Sequence, residues 1–318
     1  MQYGYFDDAN KEYVIQRPDT PRSWSNYLGS TEYGAILTNN AGGYSFFRSA
    51  ARGRFMRMRF NAIPSDQPGR YIYLHDRDSR DFWSASWQPV GKPLDQYKSV
   101  CRHGTAYSII ESEYSGIRTE TTYFVPLGRH LECWLQKIIN RDKVRRRLRL
   151  FTFVEYANNW HLWQDLINLQ YTQYIVRMEV VDNIIDHGFN VLLPDESGDS
   201  VHHDGNRHTF LAAVGADITG YDTDCEAFVG RYRSYHNPLA VQQGFCSNSI
   251  AVGDNACGAL QIDIDLEPGA WHEWAVLMGI GKAADAGRKT VQEFQNLKTV
   301  HENFARLKEY WHTRLQGM

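Results

Sequence analysis

The 318-residue chain lacks long apolar runs, paired cysteine motifs and any large excess of one charge. No apolar segment approaches membrane-spanning length, and residues 1–14 contain no apolar signal core. The formal net charge of −3 provides no global field that would attract nucleic acid or an anionic membrane. The five cysteines are odd in number and form no C-x-x-C pair, which predicts reduced thiols in a cytoplasmic protein.

What the chain does have is a repeated β-strand pattern. Aromatic residues make up 14% of the sequence, and they recur with β-branched residues in short segments that often alternate with polar positions. We predict strands over residues 70–76, 119–126, 131–140, 147–156, 208–215 and 273–281. Turn signals such as Pro68-Gly69 and Ser115-Gly116 separate them. The pattern indicates a mainly β protein built as a large antiparallel sandwich.

The period becomes helical after Gly281. Apolar residues then recur every three or four positions, at Val291, Phe294, Leu297, Val300, Phe304, Leu307, Trp311 and Leu315. We predict one amphipathic helix, broken near Lys298, and divide the chain into a sandwich domain over 1–281 and a truncated helical linker over 282–318. Periodicity leaves two placements open, because the apolar stripe suits either a linker to a further domain or a helix packed back on the sandwich.

Histidines and carboxylates give weak signals for a catalytic or metal site. The segment "VHHDGNRH" (201–208) has metal-ligand residue types, but its glycine and asparagine favour a solvated loop, and we predict no metal site. Carboxylates are paired along the sequence at Asp76/Asp78 and Asp263/Asp265, among other places, and the last pair should face solvent from one strand. No nucleophile elbow or phosphate-binding loop is present in the sequence. The sequence therefore assigns no catalytic residue to this chain.

Two polar, aromatic stretches have open interpretations. The first, "TNNAGGYSFFRSAARGRF" (38–55), is either a turn between strands or a surface that meets a partner. The second, "VEYANNWHLWQDLINLQYTQYIV" (154–176), mixes amides with tryptophans, as sugar-recognition surfaces do. The purely structural alternative for this second stretch is a loop whose tryptophans anchor it to the core.

Several long segments of the sequence resemble glycoside hydrolase family 94, the cellobiose, chitobiose, cellobionic acid and cellodextrin phosphorylases. The resemblance covers essentially the whole chain in order. The segments that carry it are "YGYFDDANKEYVIQRPDTPRSWSNYLGS" (3–30), "NNAGGYSFFRSA" (39–50), "GRYIYLHDRDSRDFWSASWQPV" (69–90), "RHGTAYS" (102–108), "FVPLG" (124–128), "NPLAVQQGFCSNS" (237–249) and "ACGALQIDIDLEPG" (256–269).

The resemblance implies an architecture and a reaction. The family has an N-terminal β-sandwich, a helical linker, a catalytic (α/α)6 barrel and a small C-terminal β-domain. This chain would then comprise only the sandwich and the linker, and it would lack the barrel with its general-acid aspartate. The implied reaction is inverting phosphorolysis of a β-linked disaccharide to an α-sugar 1-phosphate, so the whole protein would be a hexosyltransferase. Inorganic phosphate is the co-substrate, no cofactor is needed, and this chain alone should be inactive.

The resemblance also implies binding residues and a partner. Asn168 and Gln170 match a loop of the family that reaches the acceptor subsite, where Gln170 would hydrogen-bond the acceptor sugar. Tyr171 stands where cellobiose phosphorylases often have arginine, which argues against plain glucose as the acceptor and leaves room for a modified sugar. The resemblance alone does not choose among glucose, N-acetylglucosamine and gluconic acid. We add Trp163 as a sugar-contacting ring. The family is homodimeric, so the arginines at 48, 52, 54 and 57 are interpreted as interface or sheet-edge positions.

Two other functions are consistent with the sequence. A free-standing carbohydrate-binding module would use Trp160, Trp163 or the loop at 38–47 to bind oligosaccharides. A complete hydrolase would need two of the carboxylates to meet across a sugar bond. The terminal apolar stripe favours the phosphorylase domain over a self-contained module.

Overall fold

The computed structural model describes residues 2–59, 62–160, 162–167, 173–189, 192–194, 200–202 and 207–316. Within these ranges the chain is mainly β, and its strands pair in antiparallel sheets, as predicted. The six strands predicted from the sequence are all present, with ends displaced by at most two residues. No helix in the described ranges is long and apolar enough to cross a membrane.

The largest sheet contains ten strands. Every neighbouring pair in it is antiparallel. In order across the sheet, the strands are Gly4–Asp7, Glu12–Ile15, Lys98–Gly104, Tyr107–Tyr114, Ile117–Phe124, Leu131–Asn140, Trp271–Ile280, Thr209–Val214, Ile184–Phe189 and Val176–Val181.

A five-stranded sheet packs against it, and two small sheets complete the β structure. The five strands are, in order, Ile218–Asp224, Ala256–Leu266, Arg146–Glu155, Tyr71–Asp76 and Phe82–Ser84. The three-stranded sheet contains Ser25–Gly29, Tyr33–Thr38 and Gly43–Phe47, and the two-stranded sheet contains Leu192–Pro194 and Ser200–His202.

Helical segments lie between strands and at the end of the described chain. Short ones are the 3-10 turn Asn158–Trp160 and the α-helices Leu162–Ile167, Cys225–Val229 and Leu239–Gln243. A π-helical turn, Ala283–Gly287, follows the last strand and leads into the α-helices Arg288–Phe294 and Leu297–Gln316.

Central strands of the large sheet are buried on both faces. Successive side chains along each strand point to opposite faces and so belong to two different hydrophobic cores. In the last strand, Trp274 and Val276 point into the core between the two sheets, which includes Phe151 of the smaller sheet. Ala275 and Leu277 point to the opposite face, where the C-terminal helices lie. The strand therefore has an almost continuous apolar sequence, because neither face meets water.

The C-terminal apolar stripe packs back on the large sheet. Phe294, Val300 and Leu307 are buried there. The ring of Phe304 lies 5.2 Å from the ring of Tyr107. Of the two placements that the sequence left open, the described residues show the docked one. The helix is interrupted at residues 295–296, slightly before the predicted break near Lys298.

A buried carboxylate fixes the point where the chain leaves the sheet. Asp186 accepts a hydrogen bond from the Ala283 amide at 2.6 Å, at the start of the π-helical turn. Its other oxygen pairs with Nδ1 of His208 at 2.6 Å. His208 was predicted in a solvated loop, but its side chain is only 17% exposed. The pair supplies a partner for a backbone amide that would otherwise be buried and unsatisfied.

The docking of the last helix can be tested by truncating its apolar side chains. We expect Leu307→Ala to lower the free energy of unfolding by about 2–3 kcal/mol, since it removes a fully buried side chain. Leu315→Ala on the same helix is the control, because Leu315 is 41% exposed and should cost much less. Urea unfolding of both variants provides the measurement, and equal costs would contradict the packing described above.

Candidate functional site

The two glycines and two asparagines of the first polar stretch form a buried turn. The turn closes through a hydrogen bond from the Thr38 amide to the Gly42 carbonyl at 3.0 Å, and Gly43 has a φ of 116°. The side-chain amides of Asn39 and Asn40 both donate to the Pro18 carbonyl at 3.1 Å. Both asparagines are buried. This turn therefore joins the N-terminal segment to the sandwich and offers no open surface to a sugar.

The residues after this turn form a ribbon beside the start of the second polar stretch. We use "brace" for residues 51–57, which run antiparallel to residues 155–157 and also contact residue 162. The Arg57 amide donates to the Glu155 carbonyl at 2.8 Å, and the amide of residue 157 donates to the Phe55 carbonyl at 2.8 Å. The Leu162 amide donates to the Ala51 carbonyl at 2.8 Å. Thus the brace holds the segment that leads from strand Arg146–Glu155 into the predicted sugar-binding stretch.

Trp160 anchors that segment in the core. Its side chain is 2% exposed, and its ring lies 5.6 Å from Phe55 and 6.5 Å from Phe47. Its backbone has a φ of 48°, which is unusual for a bulky residue. A buried ring cannot stack on a sugar, so the use of Trp160 or of Asn39 and Asn40 by a carbohydrate-binding module is not supported.

The predicted acceptor residues follow directly on this anchored base. Trp163 lies in the helix Leu162–Ile167. Asn168, Gln170 and Tyr171 lie outside the described residues, so their predicted roles stay predictions. On either side of them the chain exposes apolar side chains, with Ile167 73% and Tyr174 64% exposed.

Beneath the base of this segment lies a buried cluster around Glu155. The Glu155 carboxylate pairs with Arg57 and Arg59, each at 2.5 Å, and accepts a hydrogen bond from the Tyr235 hydroxyl. Burial alone would raise the pKa of Glu155, but the charges of the two arginines lower it to about 2. Glu155 therefore stays ionised at neutral pH and cannot serve as a general acid.

Two of the four arginines at 48, 52, 54 and 57 are interior residues, so the interface part of their predicted interface or sheet-edge placement is wrong for these two. Arg57 is 2% exposed, and it is buried together with the Glu155 carboxylate whose charge it neutralises. Arg54 is 3% exposed, and its guanidinium lies 3.7 Å from the centre of the Tyr44 ring. Arg48 is at the surface, where it pairs with Glu32 at 2.8 Å. Sequence reasoning missed Glu155, although a single carboxylate ending an apolar strand was a usable signal.

The paired carboxylates on the smaller sheet belong to cross-strand ion pairs. Asp76 pairs with Arg146 at 2.6 Å, and Asp263 pairs with Arg149 at 2.6 Å. Burial would raise the pKa of Asp263, but the hydrogen bond and charge of Arg149 lower it. Both Asp263 and Asp265 were predicted to face solvent from one strand; Asp265 is exposed beside Arg145, as predicted, whereas the Asp263 side chain is only 27% exposed. The lowered pKa values of Asp76 and Asp263 make these two carboxylates poor proton donors, which argues against the hydrolase alternative.

An open cleft of about 1350 Å³ lies between the N-terminal hairpin and the end of the last helix, and Phe46 of strand Gly43–Phe47 lines it. Glu12 lies in its wall and accepts a hydrogen bond from the Tyr107 hydroxyl at 2.7 Å. Tyr27 is 73% exposed at its rim. The aromatic and acidic lining residues are Phe6, Tyr13, Tyr27, Phe46, Tyr310, Trp311, Asp7, Asp8, Glu12 and Glu32.

Neither a metal cluster nor a disulfide is seen in the part of the chain that the structure describes. No three side chains among the described histidines, cysteines, aspartates and glutamates are grouped to hold a metal ion. The five cysteines are buried as free thiols. Burial raises the pKa of the Cys101 and Cys246 thiols, which makes both poor nucleophiles.

Known proteins match the chain over almost its full length. It is 38% identical to the N,N'-diacetylchitobiose phosphorylases of Vibrio proteolyticus and Vibrio furnissii, covering 99% of this chain and 38% of each of those proteins. It is 27% identical to the solabiose phosphorylase of Paenibacillus borealis, covering 96% of this chain and 38% of that protein. The chain thus spans about two fifths of the length of these relatives.

A family model places the chain among these enzymes. The model for the supersandwich domain of glycosyl hydrolase 94 matches residues 11–297, which include the five-stranded sheet, nine of the ten strands of the large sheet and the start of the C-terminal helices. The sequence resemblance to this family is therefore confirmed. The chain belongs to glycoside hydrolase family 94, and it carries the supersandwich domain of that family.

Proposed function

We propose that this domain is the N-terminal sandwich of an inverting β-glycoside phosphorylase that cleaves a β-linked disaccharide with inorganic phosphate. The observation that carries the proposal is the match of 99% of the chain to N,N'-diacetylchitobiose phosphorylases, together with the supersandwich fold. The products would be an α-sugar 1-phosphate and a free sugar. No further cofactor is part of the proposal.

The chemistry of this reaction needs only one catalytic carboxyl. A carboxylic acid gives its proton to the glycosidic oxygen as the bond to the anomeric carbon breaks, and a phosphate oxygen forms the new bond from the opposite face. Phosphate is already a nucleophile, so no general base is required. Glu155, Asp76 and Asp263 are held ionised by arginines, and none is suited to give that proton. We therefore assign the acid to a catalytic barrel domain of the full-length protein and expect this chain alone to be inactive.

The role proposed for the sandwich is to shape the acceptor subsite. Gln170 and Asn168 would hydrogen-bond the acceptor sugar, with Tyr171 and Trp163 beside it. Support comes from the base of this segment, where the brace and the buried Trp160 hold the chain just before helix Leu162–Ile167. Among glucose, N-acetylglucosamine and gluconic acid, the likeness to diacetylchitobiose phosphorylases favours N-acetylglucosamine as acceptor. The full-length protein is also proposed to be a homodimer.

Replacing Gln170 tests this role in the full-length protein. We expect Gln170→Ala to raise the KM for the acceptor about five- to tenfold in the synthetic direction, the loss of about one hydrogen bond. The KM for the sugar 1-phosphate should stay unchanged, because that ligand occupies the donor side. Gln96→Ala, at an exposed position, is the control. Acceptor KM values that remain at the parent level for all three acceptors would overturn the assignment.

A further inference from the structure

Two of the five cysteines meet at one edge of the smaller sheet. Cys225 is the first residue of a short helix, and Cys257 lies in the strand that begins at Ala256. The sheet register pairs Asp224 with Ala256, and the Cys225 amide donates to the Asn255 carbonyl at 3.0 Å. A hydrogen bond joins the two thiols. The fold therefore brings into contact two sulfur atoms that are distant in the sequence.

The two thiols differ in their access to solvent. Cys225 is 9% exposed and lines a small open pocket of about 350 Å³, together with Arg59 and Tyr235. Cys257 is fully buried. Burial, and after it the hydrogen bond to Cys225, raises the pKa of Cys257, so this thiol stays protonated at neutral pH. A small oxidant can therefore reach Cys225 through the pocket, whereas Cys257 has no such access.

Cys246 shows that exposure alone does not make such a pair. It is 8% exposed, about as much as Cys225, but its thiol is hydrogen-bonded to the Asp222 carboxylate rather than to a second thiol. The two remaining cysteines are buried in the large sheet. Disulfide formation needs two adjacent sulfur atoms and a route for the oxidant, and Cys225 with Cys257 meets both conditions.

From this arrangement we propose that Cys225 and Cys257 form a reversible disulfide on contact with a small peroxide. Cys225 is the thiol that the peroxide oxidises, and Cys257 is the thiol that resolves the product. The proposed phosphorylase function neither supplies nor requires this reaction. Under reducing conditions the pair returns to two thiols by exchange with a small thiol such as glutathione, which leaves as its own disulfide.

The oxidation has two steps. In the first, the sulfur of Cys225 attacks one oxygen of hydrogen peroxide, the O–O bond breaks, and the products are a sulfenic acid and one water. In the second, the sulfur of Cys257 attacks the sulfur of Cys225 and the S–O bond breaks. The Cys257 proton leaves with the departing hydroxyl as a second water. Contact between the two thiols makes this step intramolecular, which favours it over further oxidation of the sulfenic acid.

The disulfide would fasten helix Cys225–Val229 to the sheet and close the loop that follows it. Tyr235 lies in that loop, and its hydroxyl donates to the buried Glu155 carboxylate. A cross-link restricts the unfolded chain, so the oxidised protein should unfold at a higher urea concentration than the reduced protein. Oxidation would therefore add a covalent link beside the Glu155 cluster.

The test is peroxide treatment of the native 318-residue chain, followed by denaturation and maleimide labelling. We expect labelling to fall from five thiols to three, and to return to five after dithiothreitol. Peptide mapping should find Cys225 joined to Cys257, with the joined peptides about 2 Da lighter than the two separate ones. Five labelled thiols after peroxide treatment, or a cross-link that involves Cys246, would overturn the proposal.

Single serine variants separate the roles of the two thiols. In Cys257→Ser, the Cys225 sulfenic acid should persist and react with dimedone. In Cys225→Ser, Cys257 should remain a thiol because it is fully buried. Cys246→Ser is the matched control and should form the disulfide at the parental rate within about twofold. Dimedone labelling at Cys257 instead of Cys225 would contradict these roles, and sulfinic acid at Cys225 of the parent without a cross-link would contradict the pairing.

Discussion

Replacing Arg70 by methionine is expected to lower the free energy of unfolding by about 3–5 kcal/mol, because it leaves the Glu132 charge buried without its counter-charge. Both side chains are essentially inaccessible, and Arg70 Nε lies 2.6 Å from a Glu132 oxygen. Glu132 also accepts hydrogen bonds from Ser45 at 2.8 Å and from the Trp134 indole at 2.9 Å. Arg70 further donates to the Ile36 carbonyl at 3.1 Å. The pair thus connects the three-stranded sheet to the large one.

The matched control is Arg147→Met, which breaks a surface pair with Asp78. Both partners are about half exposed, so the loss should stay within about 1 kcal/mol. The double variant Arg70→Met/Glu132→Leu should recover part of the stability, since an apolar pair of similar size carries no buried charge. Urea denaturation at pH 7 measures all three, and a similar cost for Arg70→Met and Arg147→Met would contradict the buried pair.

The second large effect is a loss of stability of about 4 kcal/mol between pH 7 and pH 5, from two buried histidines. Burial lowers the pKa of His187 to about 3, with a further lowering from the charges of His208 and Arg57. Burial also lowers the pKa of His103 to about 4. Their ordinary value is 6.5, so the unfolded chain binds protons below that pH and the folded chain does not.

The direction of this pH dependence follows from the lowered pKa values of His187 and His103. The stability contributed by each histidine is complete above pH 6.5 and is lost as the pH falls toward the folded pKa. At pH 5 each accounts for about 2 kcal/mol. Glu155 adds nothing at pH 5, because its loss begins only below its ordinary value of 4.5.

His187→Gln provides the check on this pH dependence. Glutamine can keep contacts with Asn158 and Thr209, the present hydrogen-bonding partners of the ring, but it cannot titrate. The variant should lose about 2 kcal/mol less than the parent between pH 7 and pH 5. Urea unfolding curves at the two pH values supply the comparison, and parallel losses in parent and variant would mean that His187 is protonated normally.

The sequence predicts the strands of this domain well because local pattern determines them. Leu131–Asn140 and Arg146–Glu155 were found almost at their predicted ends. Most residues of both strands are buried, because the sandwich core covers one face of each strand and helices or further chain cover the other. The helical period after Gly281 was equally clear in the sequence. The docking of these helices on the large sheet, however, depends on contacts that periodicity does not specify.

The polar stretches were harder to interpret because their partners are remote. Asn39 and Asn40 look like exposed turn residues until the Pro18 carbonyl is placed beside them. Arg57 looks like a surface cation until Glu155 is placed opposite it, 98 positions along the chain. Composition cannot reveal such pairings. The family resemblance therefore identified Asn168 and Gln170 as acceptor-binding candidates, but the sequence did not reveal that the brace and Trp160 hold the chain just before them.

The brace also has a consequence for how the chain reaches its folded state. It joins residues about a hundred positions apart. The chain must therefore lose the conformational entropy of closing that loop before the contacts around Trp160 can form. The local hairpins, such as Tyr107–Tyr114 with Ile117–Phe124, bear no such cost and are free to form early. We therefore expect the base of the acceptor segment to be among the last parts of the domain to become ordered during folding.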